Sequence, residues 1–61
     1  MMLLTTQEAA RELRLTKATL EAWRCRGGGP AFVKFGRAVR YRREDLDKFL
    51  LSSLRSNTSN G

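Results

Sequence analysis

The chain has 61 residues, enough for one small domain that buries only about 60% of the surface its unfolded form exposes. One Cys and no His exclude an intrachain disulfide and argue against a closed zinc site, which draws four ligands mainly from those types. Twelve Lys and Arg against six Asp and Glu give a net charge of +6, and no acidic residue lies between Glu21 and Glu44, an interval holding Arg24, Arg26, Lys34, Arg37, Arg40, Arg42 and Arg43. A basic block of this kind is either a diffuse cationic surface or the footprint of a polyanion, and its concentration in one interval favours the polyanion. No apolar run nears the roughly 18 residues of a membrane span, and Met1-Met2-Leu3-Leu4 is too short for the apolar region of a signal peptide. The expectation is an intracellular, cytoplasmic protein.

Thr5 to Glu8 reads as a capping box, in which Thr5 caps the N–H of Glu8 and the Glu8 side chain returns to the N–H of Thr5. A first helix then runs from Thr6 to about Leu13 or Arg14. Ala9, Ala10 and Leu13 form its inner stripe, and Glu8, Arg11 and Glu12 face solvent. Thr16 caps a second helix, with Leu15 placed to staple onto Leu20. So short a connection forces the two helices to cross steeply, and the alanines let their backbones approach.

The second helix has two unlike sides. Leu20 and Trp23 belong to the core, while Ala18, Glu21, Ala22 and Cys25 turn outward. Surface helices usually carry long charged side chains, so this nearly bare face points to close approach by something large, such as a DNA groove. Gly27, Gly28, Gly29 and Pro30 end the helix through a left-handed C-cap and an extended turn. A glycine run can also cradle a phosphate, but no GK[ST] follows it here, which favours a hinge.

Ala31 to Phe35 and Val39 to Arg42 have strand composition around Gly36. A two-residue loop would set Val39 opposite Lys34 and mix faces, whereas a three-residue loop, Gly36 to Ala38, pairs Phe35 with Val39 and Val33 with Tyr41. The expected hairpin therefore buries Val33, Phe35, Val39 and Tyr41, opposes Lys34 to Arg40 outside, and carries Arg37 at its tip. Like charges so opposed imply either an anionic neighbour or a solubilising edge. Arg43-Glu44-Asp45 opens a third helix whose Leu46, Phe49, Leu50 and Leu54 form a core stripe, leaving Leu51 outside. Residues 3–54 are the expected domain, and the Ser- and Asn-rich residues 55–61 an expected disordered tail.

Leu4-Thr5 with Glu8-Ala9-Ala10, Thr19-Leu20 with Trp23, Pro30, Val33-Lys34-Phe35-Gly36-Arg37, Val39-Arg40-Tyr41-Arg42 and Asp45-Leu46 occur in an order that resembles the MerR-like, excisionase-type DNA-binding family of phages and mobile elements. The resemblance covers about residues 3 to 51. It implies a mainly α winged helix-turn-helix of three helices and a two-stranded wing, with the second helix in the major groove and the wing on flanking DNA. Carried onto this chain, it places Lys17, Ala18, Glu21 and Ala22 at base edges, Thr19, Arg24 and Arg26 at phosphates, and Lys34, Arg37 and Arg40 on the wing. Glu21 can accept from cytosine N4, Ala18 and Ala22 can pack on thymine methyls, and Lys17 can reach guanine or phosphate. Two departures stand out: Arg14 occupies a turn that often holds Gly, and the small Ala18 and Ala22 leave few direct base hydrogen bonds. Trp23 is expected in the core rather than stacked on a base. Cys25 is expected as a small residue near the interface, with a redox switch as the alternative.

The resemblance further implies double-stranded DNA as partner, cooperative self-association on it, and a tyrosine recombinase (integrase) assisted by bending attachment-site DNA in the bacterial nucleoid. A small transcriptional regulator of a mobile element is the allied alternative. MerR regulators dimerise through a long helix, and nothing in residues 55–61 reads as one. About five phosphate contacts give one module a log–log salt slope near −4.5. An RNA-binding or protein-interaction module is the other class, disfavoured by aromatics assigned to the core and by few exposed apolar residues beyond Leu51 and Phe32. No catalytic constellation, cofactor or metal ligand set is evident, so no enzyme is expected.

Overall fold

Two threonines start the first two helices, and the structure, a computed structural model, describes residues 2–54 of the chain. The expected tail, 55–61, lies outside the described residues. Thr5 Oγ1 accepts the Glu8 N–H at 3.1 Å and Glu8 Oε1 accepts the Thr5 N–H at 2.9 Å, closing the capping box of helix α1, Thr6–Leu13. Thr16 Oγ1 accepts the Thr19 N–H at 3.2 Å and caps helix α2, Lys17–Arg26.

Between them, Arg14 adopts φ 59° and ψ 38°. Its N–H reaches Arg11 O at 3.1 Å and the Leu15 N–H reaches Ala10 O at 2.8 Å, the paired bonds of a Schellman motif. This reversal normally takes glycine, because a Cβ in the left-handed region crowds the backbone. The fold thus keeps the sharp turn of a helix-turn-helix, with the strain held at Arg14.

Strands β1 (Leu3–Thr5), β2 (Val33–Phe35) and β3 (Ala38–Arg42) form an antiparallel sheet in the order β1-β3-β2, followed by helix α3, Arg43–Ser53. The expected two-stranded wing therefore has a third strand, since Leu3, Leu4 and Thr5 pair with Arg42, Tyr41 and Arg40. Leu4, Ala9, Ala10, Leu20, Tyr41 and Leu46 make the core, with Leu13, Trp23 and Val39 packed against it. Trp23 tilts onto Phe49 with ring centroids 5.5 Å apart. A Cβ on Gly29 would lie 2.8 Å from the Trp23 Cβ, so this glycine is a close-packing position. Gly27, at φ 88° and ψ 173°, ends α2 in a conformation essentially confined to glycine, rather than in the expected left-handed cap.

The hairpin register differs from expectation. Val33, Lys34 and Phe35 pair with Arg40, Val39 and Ala38, leaving only Gly36-Arg37 as the loop. Gly36 has φ 59°, and Arg14 is the only described non-glycine residue at positive φ, which fits a type II′ turn whose twist matches the strands. The sides of the hairpin change accordingly. Lys34 shares a face with Val39, while Arg40 lies on the other face with Val33, so the expected Lys34–Arg40 opposition does not form. Phe35 is 54% exposed and Val33 half-buried, in contrast to the expected core positions. Mixing of faces is tolerated because β2 reaches past the small core, where the Lys34 side chain meets solvent.

Only the first half of α3 enters the core. Leu46 is buried and Phe49 half-buried, but Leu50 and Leu54 of the expected stripe are 51% and 72% exposed, beside Leu51 at 71%. At 1.5 Å per residue, the helix carries Leu50 about 6 Å beyond Leu46, past the buried layer, and Leu54 follows the helix end with extended backbone. Among the described residues, no helix is long and apolar enough to cross a membrane.

Candidate nucleic-acid interface

The basic block separates into paired and open members. Arg42 clasps the buried Asp45 through Nε–Oδ2 at 2.7 Å and Nη2–Oδ1 at 2.8 Å, and approaches Glu44 at 3.1 Å. Those hydrogen bonds hold the Asp45 carboxyl below its ordinary range, against a smaller upward push from burial. Arg43 Nη1 donates to Glu12 Oε1 at 2.9 Å, tying α3 to α1. These two cations are spent within the fold.

The open members converge on α2. A cleft of about 390 Å³ between the start of α1, α2 and the wing includes Lys17, Glu21, Arg24, Arg37 and Arg40 in its lining. A second cleft, about 340 Å³, lies between α2 and the hairpin face that carries Phe32, Lys34 and Val39, with Glu21, Arg24 and Cys25 on its helix side. Glu21 and Arg24 border both. Together the clefts hold the chemistry for a polyanion: four Arg and Lys from the basic block, Lys17 at the start of α2, and one carboxylate at a rim.

The outward face of α2 agrees with its periodicity, since Ala18, Glu21, Ala22 and Cys25 are all exposed. Lys17 Nζ stands 3.9 Å from Glu21 Oε2 across one turn, an exposed pair that contributes little to stability. Thr19 is half-buried and its hydroxyl bonds that of Thr16 at 2.9 Å. Arg26 is exposed at the end of the helix and lines neither cleft. The fold therefore gathers Lys17, Glu21, Arg24, Lys34, Arg37 and Arg40 around the clefts, sets Ala18 and Ala22 on the open helix face, and leaves Thr19 and Arg26 at the periphery.

Arg24 is the most constrained of the set. Its Nη1 donates to Thr6 Oγ1 at 3.0 Å and to Tyr41 Oη at 2.9 Å, and its guanidinium carbon lies 5.8 Å from the centre of the Phe32 ring. Thr6, Phe32 and Tyr41 are absent from the sequence-derived site. One signal for the tyrosine was present, because a buried phenol needs a hydrogen-bond partner and Tyr41 was expected inside. Nothing local marked Thr6, whose hydroxyl reaches Arg24 across 18 positions.

A family model described as a helix-turn-helix domain matches residues 3–53, which include every element of the fold. No curated protein matches the chain.

Proposed function

The chain belongs to the helix-turn-helix domain family, and from that premise we propose that it binds specific sequences in double-stranded DNA through α2 and the wing together. The observation that carries this reading is the convergence of Lys17, Arg24, Lys34, Arg37 and Arg40 on clefts beside a helix face of Ala18, Glu21 and Ala22. On this reading the small face enters the major groove. Glu21 leaves its weak pairing with Lys17 to accept from cytosine N4, while Ala18 and Ala22 lie against thymine methyls. Lys17 turns to guanine or phosphate. Thr19, Arg24 and Arg26 hold the backbone, and Lys34, Arg37 and Arg40 carry the wing onto flanking DNA.

We further propose that the domain acts as an excisionase, a recombination directionality factor that loads on attachment-site DNA, bends it and assists a tyrosine recombinase. Support comes from the resemblance over residues 3 to 51 and from the modest readout available to one copy with two alanines on its groove face. Cooperative loading compensates for that modest readout, and exposed Leu50, Leu51 and Leu54 supply apolar surface for contact between neighbours. The allied reading is a small regulator acting at the promoters of a mobile element.

Fluorescence anisotropy on duplexes tiled across the genomic neighbourhood, with scrambled controls at two salt concentrations, tests both. Stepwise cooperative binding beside an integrase gene or attachment site supports the excisionase; binding at a promoter alone supports the regulator. Equal weak binding to every duplex removes the specific-DNA reading. Competition with structured RNA belongs in the same series, because Phe35 stands outside the core and only Tyr41 among the two expected hairpin aromatics is sealed.

A further inference from the structure

We infer that Arg24 is a pre-positioned phosphate clamp, held by the Thr6 and Tyr41 hydroxyls so that one DNA phosphate seats between α2 and the wing. The inference rests on the duplex-binding reading above and assigns positioning roles to two residues outside the base-reading face. A guanidinium carries five N–H donors. Both hydrogens of Nη1 point inward to Thr6 at 3.0 Å and Tyr41 at 2.9 Å, so the three on Nε and Nη2 remain, and these have no partner among the described residues.

The supports are rigid. Tyr41 is 1% exposed in the central strand of the sheet, and Thr6 is 8% exposed in the first turn of α1. Arg24 is thereby fixed to two elements besides its own, and Phe32, itself tilted onto Tyr41 at 6.1 Å, limits it from the hairpin side. A free surface arginine loses side-chain entropy when it takes hold of a phosphate. Arg24 has already lost much of that freedom on folding, so more of its charge-assisted hydrogen bonding is left for binding. It is also the arginine shared by both clefts, with Lys17, Arg37 and Arg40 around the first and Lys34 in the second. A phosphodiester seated there meets α2 and the wing at once, fixing the angle at which the helix faces base edges.

The test is a double-mutant cycle read by anisotropy on one duplex over a salt series, using Arg24→Gln, Tyr41→Phe and the combination. Arg24→Gln is expected to weaken binding about tenfold and flatten the log–log salt slope by about 0.9, one phosphate's worth. Tyr41→Phe keeps every charge and is expected to weaken binding about fivefold in the parent but not in the Arg24→Gln background. Thr6→Val should behave like Tyr41→Phe, and Thr6→Ser, which keeps the hydroxyl, should restore binding. Thermal melts of each variant identify any that fail to fold, and the Thr6 pair keeps the test decisive if Tyr41→Phe is one of them. Independent losses from Arg24 and Tyr41, or an unchanged salt slope in Arg24→Gln, would overturn the clamp while leaving DNA binding intact. A parent protein that binds no duplex would remove the functional reading and the clamp together, a result separate from either.

Discussion

Arg40 and Arg42 sit two positions apart on one strand and point to the same side of it, yet they do different things. Arg42 is fastened to Asp45 and Glu44, with Arg43 beside it fastened to Glu12, whereas Arg40, Arg37 and Lys34 border clefts next to α2. Along the chain these residues form one uninterrupted basic block. In the fold, carboxylates brought from both directions neutralise one end of it, Glu12 from 31 positions earlier and Asp45 from the turn that follows. Charge density in a sequence therefore locates a basic region without telling which of its members are available to a ligand.

The largest expected effect breaks this comparison from the open side. Replacing Lys34, Arg37 and Arg40 together by Ala should weaken duplex binding by roughly two to three orders of magnitude at 0.1 M salt and flatten the salt slope by about 2.7. The melting temperature should barely move. Arg42→Ala should do the reverse, with a clear loss of melting temperature, because Asp45 is left buried without its partner, and an unchanged slope among molecules that remain folded. If Arg42→Ala flattens the slope as Arg37→Ala does, the division into paired and open cations is wrong.

Gly29→Ala is the control that touches neither set. The added Cβ meets the Trp23 Cβ at 2.8 Å, and the expected cost is about 1–3 kcal/mol in chemical denaturation with no change in salt slope. A smaller effect follows from acid. The Asp45 carboxyl is held below its ordinary value by Arg42, so its contribution is present above the unfolded carboxylate range and is lost as pH falls through the lower, folded value. Melting temperatures of the parent and Asp45→Asn should differ at neutral pH and converge in strong acid. Smallest is Arg14→Gly, which relieves a left-handed residue at φ 59° and should stabilise the fold by about 0.5–1 kcal/mol, again with the slope unchanged.

Much of this architecture is legible in the sequence because it is written locally. Thr5 with Glu8, and Thr16 with Thr19, set two helix starts through contacts within one turn, and the 3.6-residue period separated Leu20 and Trp23 from the exposed Ala18, Glu21, Ala22 and Cys25. The turn at Arg14 was visible as a departure from glycine, and the structure puts strain there. The hairpin register departs from the polarity pattern because turn chemistry, not a uniform face, sets it. Gly-X is itself the signature of a two-residue type II′ loop, and the strand beyond the core had no need of a consistent face. Strand β1 has no signature of its own in three residues, and the exposure of Leu50 and Leu54 reflects where a small core ends. For the interface, the cations were legible as a group, but their partners were not: Thr6, Glu12 and Tyr41 meet them only in three dimensions.

The pairing of Leu3 with Arg42 also orders events during folding. The two residues lie 39 positions apart, so the sheet closes a long loop before its outer strand contributes anything, the kind of non-local contact that slows folding. On a ribosome, the capped helices emerge well before β3, and β1 stays an unpaired edge until β3 clears the exit tunnel. Arg24 likewise finds Tyr41 only then. The clefts thus assemble only when the strand that carries the wing has emerged, and α3, which follows it, closes the core with Leu46; nascent chains halted short of Tyr41 should have no assembled clefts.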